Sequence, residues 1–359
     1  MRQSPRFADG RFHNTHPVPK GLDPTAKSPF VEMLRRRQAR KPPGPLPSAD
    51  PRPAWSDAPA SGLRATWLGH STTLLEIDGV RVLTDPIWSP RCSPFKHLGP
   101  RRFQPVPVPL GDVGRIDAVL VSHDHYDHLD HATMRELAKA DMPIVAALGV
   151  GAHLEAWGVA PTRIRELDWW DDTTIQGPGG ASLSVTATPS QHFSGRALRT
   201  RFTTLWTSYA LAGAEHRVFF SGDTGLTDEF AGVGRRHGPF DLTMLEVGAY
   251  HPSWGHIHLG PQKAMKAFRM LGGGTLLPIH WGTFNLALHA WDDPPEELLR
   301  HQSDLGGRLF MPMLGQPTEP DAAAPVVPWW RGAGKPASKA LASNEAPLAS
   351  APQRNGSGK

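Results

Sequence analysis

The chain has 359 residues, 39% hydrophobic and 20% charged, enough to bury one large α/β core or two smaller ones. A single cysteine, Cys92, excludes a disulfide scaffold; no apolar run reaches the ~18 residues of a spanning helix, and MRQSPRFADGRF lacks the apolar stretch of a secretory signal, so a cytoplasmic protein is expected. Residues 1–53 carry eleven Lys/Arg against four Asp/Glu and 331–359 five against one, so the net charge of +4 comes from the two ends, and the 22 basic and 29 acidic residues of 54–330 argue against a nucleic-acid enzyme.

In chain order, the first fifty-odd residues are rich in Pro and Arg. KPPGPLPSADPRP (41–53) cannot form a regular element, because each Pro removes a donor and fixes φ. SPFVEMLRRRQAR (28–40) reads as a short basic helix, either a strap on the body or a contact with anionic lipid or nucleic acid. TTLLEI, Asp78-Gly79 and VRVLTD predict a hairpin, since Asp-Gly suits the turn between twisted strands. DAVLVS (117–122) predicts a buried strand and HATMRELAKA (131–140) a helix with Asp130 as N-cap. Further strands are expected at SLSVTAT (182–188), HRVFFS (216–221), DLTMLEV (241–247) and TLLPI (275–279), the last an edge strand or a strand end because of Pro278. Pro261 opens a helix with Ala264, Ala267, Phe268 and Leu271 on one face. Alternating strands and helices imply a layered α/β body over 54–330, between an arm at 1–53 and a disordered tail at 331–359.

The densest chemistry is SHDHYDHLD (122–130), where His123, Asp124, His125, Asp127 and His128 crowd into six residues after a buried-type strand. Packing alone rarely collects so many groups that each want water or a partner. His123 and His125 alternate on an extended segment and can share one ion, while the turn that follows aims Asp127 and His128 at a second. Three other apolar runs also end in a candidate ligand, at His192, Asp223 and His280. If these strands share a sheet and a direction, their carboxyl ends line one rim, where open α/β sheets place ligands. Five His and two Asp suit two metals with one bridging carboxylate. Zinc is the first expectation for this donor set, with iron or manganese as alternatives.

His-x-His-x-Asp-His, a distant His, SGDTG and a final strand-end His together resemble the metallo-β-lactamase superfamily. The resemblance implies a four-layer αββα sandwich. By position it places His123, His125 and His192 on one metal and Asp127, His128 and His280 on the other, with Asp223 bridging. WLGHST (67–72), LTDPIWSPRCSPFKHLGPRRF (83–103), GAY (248–250) and IHWGTF (279–284) are similar to the branch of N-acyl-phosphatidylethanolamine-hydrolysing phospholipase D, which also includes the L-ascorbate-6-phosphate lactonase. RFHN (11–14) resembles the start of bacterial members. The segment HPSWGHIHLGP departs from that pattern around the expected pocket.

The expectation is a binuclear hydrolase of phosphodiesters, phospholipase D-like and working through a metal-bridging hydroxide; a lactonase or other carbonyl-ester hydrolase is the alternative. Catalytic residues are then His258, Asp127 and Asp223, with His258 as acid for the leaving alcohol and His251 and His256 as its rivals. His70, Asp85 and Asp124 are expected to support the ligands. Tyr126 and Tyr250 are candidates for substrate contact, and Trp88, Trp254 and Trp281 for an aromatic groove. The substrate is a small molecule or a phospholipid, with nucleic acid disfavoured by the acidic body; oligomeric state is not encoded legibly.

Overall fold

A computed structural model describes residues 4–18, 40–322 and 324–334. The basic helix expected over 28–40 therefore lies, apart from Arg40, outside the described residues, as does the chain from 335 onward. A two-stranded ribbon, β1 (Phe7–Ala8) and β2 (Arg11–Phe12), comes first. It leads to a sheet of β3 (Leu63–Gly69), β4 (Thr72–Ile77), β5 (Val80–Thr84), β6 (Ala118–Val121), β7 (Ile144–Ala147) and β8 (Ile164–Leu167), paired in chain order. The second sheet runs β15-β14-β13-β12-β11-β10-β9. Its strands are β9 (Asp172–Gln176), β10 (Ser182–Thr188), β11 (Ser208–Ala212), β12 (Arg217–Phe220), β13 (Leu242–Glu246), β14 (Thr275–Ile279) and β15 (Arg308–Leu309).

Both sheets are mixed. β3 to β5 are antiparallel and β5 to β8 parallel in the first; β9 to β12 are antiparallel and β12 to β15 parallel in the second. The predicted hairpin is β4-β5, and Asp78 (φ 48°) and Gly79 (φ 89°) take the left-handed pair of conformations that a two-residue turn between twisted strands needs.

Alternation along each strand sorts side chains between two cores. On β6, Ala118 and Leu120 meet Val185, Ala187 and Tyr209 of the second sheet, while Val119 and Val121 face outward. The outward pair is covered by Met134 and Leu137 of α1 (His131–Leu137) and Leu154 of α2 (Gly151–Ala156). The far sheet is covered by α3 (Glu229–His237), α4 (Gly260–Met270) and α5 (Asp293–Arg300), with Phe230 edge-on to Phe219. The order is thus helix, sheet, sheet, helix, the expected αββα sandwich. Each fully buried Leu, Ile, Val or Phe contributes about 1.5–3 kcal/mol. Tyr209 also donates from its hydroxyl to the Val121 carbonyl (2.9 Å), tying the sheets together beside the rim.

Three local expectations need correction. The ligand-bearing strands do not share a sheet: β6 belongs to the first, and β10, β12 and β14 to the second. They nevertheless point the same way, and the rim is the common end of both sheets. Of the two readings of TLLPI the edge strand fails, since β14 lies between β13 and β15, and the strand end holds: Pro278 is the next-to-last residue and falls past the two-residue pairing with β15, where its missing N–H costs nothing. Asp130 precedes α1 without capping its backbone and binds the Ser89 N–H and the Thr133 hydroxyl instead.

Candidate metal centre

Most of the strands running toward the rim end at or shortly before a polar residue. β5 ends before Asp85, β6 before the run from His123 to His128, β12 before Asp223 and β14 before His280. His192 follows β10 by four residues, and Glu246 is the last residue of β13. Two turns lock together here: the His70 carbonyl, in GHST, accepts from the His280 N–H (2.9 Å) and the Trp67 indole (2.8 Å), joining WLGHST to IHWGTF.

The side chains form two clusters. In the first, His125 Nδ1 lies 2.9 Å from His123 Nε2 and 3.3 Å from His192 Nε2, with Asp223 Oδ2 at 3.9 and 3.8 Å from the latter two nitrogens. In the second, Asp127 Oδ2 lies 3.5 Å from His128 Nε2 and 3.4 Å from His280 Nε2, and Asp223 Oδ1 is 3.2 and 3.1 Å from the same two nitrogens. Asp223 thus presents one carboxylate oxygen to each cluster. Four ligands around a zinc-sized ion at 2.0–2.1 Å sit about 3.3 Å apart, so these spacings fit two cations.

A second observation supports the fit. His128 Nε2, His280 Nε2 and Asp223 Oδ1 are buried and make no hydrogen bond despite their proximity. Each buried polar atom left so costs about 1–3 kcal/mol. Such convergence suits lone pairs aimed at a cation.

The imidazoles are oriented from behind. Asp85 Oδ2 lies 2.6 Å from His128 Nδ1, and the same carboxylate accepts from the Ser122 N–H (2.7 Å) and hydroxyl (2.6 Å). The Ser122 oxygen in turn meets His123 Nδ1 at 2.9 Å, so one buried carboxylate orients a histidine in each cluster. His192 Nδ1 donates to the Ile257 carbonyl (2.8 Å), turning Nε2 inward. Burial pulls His123, His125 and His192 below the ordinary range and keeps them neutral, as ligation requires. Burial opposes ionisation of Asp127 and Asp223, yet the facing histidines hold both carboxyls well below their usual range. Burial lowers the His280 pKa, but Asp223 and Asp127 together outweigh it and lift it to about 10. The second cluster therefore calls for positive charge.

His258 stands over the clusters on the wall of an open cleft of about 420 Å³. Its Nδ1 is 3.2 Å from both oxygens of the fully buried Glu246, which also accepts from the Leu259 N–H (2.9 Å). Burial lowers the His258 pKa, but Glu246 and, more weakly, Asp223 together more than compensate and the net shift is upward. Its rival His251 is turned into its own loop, where Nδ1 accepts from the Ser253 N–H, and His256 does not line the cleft. The loop is held close by Gly225 of SGDTG, where a Cβ would collide with the His256 carbonyl at 2.0 Å.

Of the expected supporting residues, Asp85 acts as described and His70 Nε2 lies 2.9 Å from Asp127 Oδ2, but Asp124 points away and accepts from the Gly195 N–H. Tyr126 packs under the Arg196 guanidinium (3.9 Å), and Tyr250 stacks on His289. Among the tryptophans only Trp254 lines the cleft; Trp281 is buried against Trp67, and Trp88 packs beside Trp55 and Val108.

Sequence reasoning missed three groups. Glu246 ends an apolar strand as Asp223 nearly does, so the same signal could have found it. Arg201 lines the cleft with its guanidinium 4.7 Å from the Phe193 ring, and no motif marks it. Asn14 clamps the backbone of His192, donating to its carbonyl (2.7 Å) and accepting from its N–H (3.1 Å); a sequence separation of 178 hides that pairing.

The beta-lactamase superfamily domain matches residues 80–281. An uncharacterized protein of Mycobacterium tuberculosis is 46% identical over 335 residues, covering 92% of this chain and 88% of that one. The N-acyl-phosphatidylethanolamine-hydrolyzing phospholipase D 1 of Caenorhabditis elegans is 34% identical over 253 residues, covering 68% and 70%. Among solved structures, a metallo hydrolase from the hyperthermophilic archaeon Ignicoccus hospitalis superposes with a TM-score of 0.55 at 21% identity, covering 71% of this chain and 97% of that one.

Proposed function

The chain belongs to the metallo-β-lactamase superfamily and is a metal-dependent hydrolase of that fold, and on this premise we propose that it cleaves phosphodiesters, with an N-acyl-phosphatidylethanolamine-like phospholipid as substrate. The observation that carries the reading is Arg201, the sole Lys or Arg among the described residues lining the cleft. A phosphodiester brings a permanent negative charge at the reacting group for that guanidinium to hold; an uncharged lactone brings none, and a phosphorylated lactone carries it away from its reacting carbonyl.

In this reading His123, His125, His192 and Asp223 hold one divalent cation, and Asp127, His128, His280 and Asp223 a second. Zinc suits both nitrogen and oxygen donor sets, with iron or manganese as substitutes. Bound there, the cations supply Lewis acidity and bring the pKa of a water toward neutrality. The chain's own groups do the rest. Arg201 holds the phosphate, and Asp223 fixes the spacing of the two clusters. His258, with Nδ1 engaged by Glu246, offers a proton from Nε2 to the departing alcohol oxygen. Phe193, Trp254, Ile257 and Leu286 supply apolar wall for lipid and keep bulk water from the reacting atoms.

The test is turnover of purified protein on two panels, phosphodiesters including N-acyl-phosphatidylethanolamine, and lactones. The expected result is release of phosphatidate, with Arg201→Ala raising KM about tenfold. Rapid lactone opening without phosphodiester turnover would contradict the reading and favour carbonyl chemistry at the same site.

A further inference from the structure

Between Ser89 and Arg102 the chain leaves the rim and returns as a narrow finger. Arg91 and Arg101 pair as an isolated antiparallel bridge, the Cys92 N–H donates to the Pro100 carbonyl (3.2 Å), and the Arg102 N–H to that of Pro90 (3.0 Å). Arg91 Nη1 donates to the Gly99 carbonyl (2.6 Å), closing the tip over Ser93–Leu98. Tied this way, the tip does not fold its own apolar residues inward. Phe95 is 60% exposed and Leu98 65%, and only Val327 joins them as a large exposed hydrophobic among the described residues.

The charge around the tip has one sign. From Pro86 to Gly111 the sequence holds Arg91, Lys96, Arg101 and Arg102 and no Asp or Glu. Lys96 and Arg101 are exposed, whereas Arg102 is buried and donates to the Ile87 carbonyl (3.0 Å). The root of the finger reaches the cleft: Cys92 is buried with Ile87 and Phe284, against which Leu286 of the cleft wall also packs.

Two apolar side chains at a tip that also carries the exposed Lys96, with the exposed Arg101 at its base, match an anionic bilayer, where the ring and methyls enter the acyl boundary and Lys96 and Arg101 stay with the headgroups. We propose that the 89–102 finger docks the protein on anionic phospholipid membranes and sets the mouth of the metal cleft at the headgroup level. The proposal assigns membrane contact to this finger, and it deepens the phospholipid reading on which its functional meaning rests. No helix among the described residues is long and apolar enough to cross a membrane.

The experiment is co-sedimentation with phosphatidylglycerol vesicles and with phosphatidylcholine vesicles, using the full chain and the double substitution Phe95→Ser, Leu98→Ser. Unchanged metal content and unfolding midpoint serve as fold controls. Binding to phosphatidylglycerol that weakens with salt, and an affinity about tenfold or more lower in the double variant, are expected. Absent binding by the wild-type chain, or equal binding by the variant, would overturn the proposal. So would loss of a dimer in sedimentation velocity without any change in vesicle binding, which would give the finger to a second copy of the chain. Finger-dependent vesicle binding without turnover of any vesicle phospholipid would leave the docking intact and refute the phospholipid reading. Turnover of vesicle phospholipid indifferent to the double substitution would do the reverse.

Discussion

At the end of the sandwich away from the cleft, Asp78 accepts from His216 Nδ1 (2.7 Å), the Glu215 N–H (2.8 Å) and the His216 N–H (2.9 Å), so its carboxylate is fully satisfied by the protein. At the cleft end, Asp223 lies within 3.9 Å of four imidazoles, and its Oδ1 makes no hydrogen bond. Both carboxylates face histidine across the two sheets. The difference is where the lone pairs go: Asp78 uses His and backbone N–H to close a turn, whereas Asp223 and its neighbours converge on points in space. A polar cluster built for stability pairs within itself, and one built for chemistry is left incomplete by the chain alone.

That contrast can be broken from either side. Asp223→Ala should lower turnover about a thousandfold or more, because it withdraws a ligand from both clusters. His258→Gln should lower kcat by about 10²–10⁴-fold and leave metal content unchanged; loss of metal instead would make His258 a ligand. Asn14→Ala should weaken metal affinity about 10–100-fold in a competition titration with a chelator, through the slackened His192 backbone. Equal affinity would reduce the clamp to a packing detail.

Asp78→Asn should be the mildest, leaving turnover intact and lowering the unfolding midpoint at neutral pH by about 2–4 °C. Burial tends to raise the Asp78 pKa, but the His216 ring and the two N–H groups lower it on balance. A carboxyl depressed in the folded state stabilises above its unfolded value of about 3.9 and loses that contribution as pH falls through the folded value. The gap between wild type and variant should therefore close in acid. A gap that widens would reverse the sign assigned to the turn.

Much of this was legible in the sequence because the signals were local. Asp78-Gly79 named its hairpin, and the strand-end histidines and aspartates named a rim. The partition of those strands between two sheets was not legible, since β6 and β12 are alike as apolar runs and only pairing separates them. Asp124 reads in the sequence as a support for the ligands on a par with Asp85, yet the fold turns its carboxylate to the Gly195 N–H. Asn14 and Arg201 act across long separations that no spacing rule spans. Trp281 shows the commoner fate of a motif tryptophan, stacked in the core on Trp67 (5.2 Å).

The most direct test of the central claim is the transition-metal content of the purified protein, measured for the wild-type chain and for His192→Ala and His280→Ala. Two clusters joined by Asp223 predict about two ions per chain in the wild type, and a loss from either variant that leaves at most about one. A wild-type chain that turns over substrate with no bound metal, or whose content neither substitution changes, would contradict the two-cluster account.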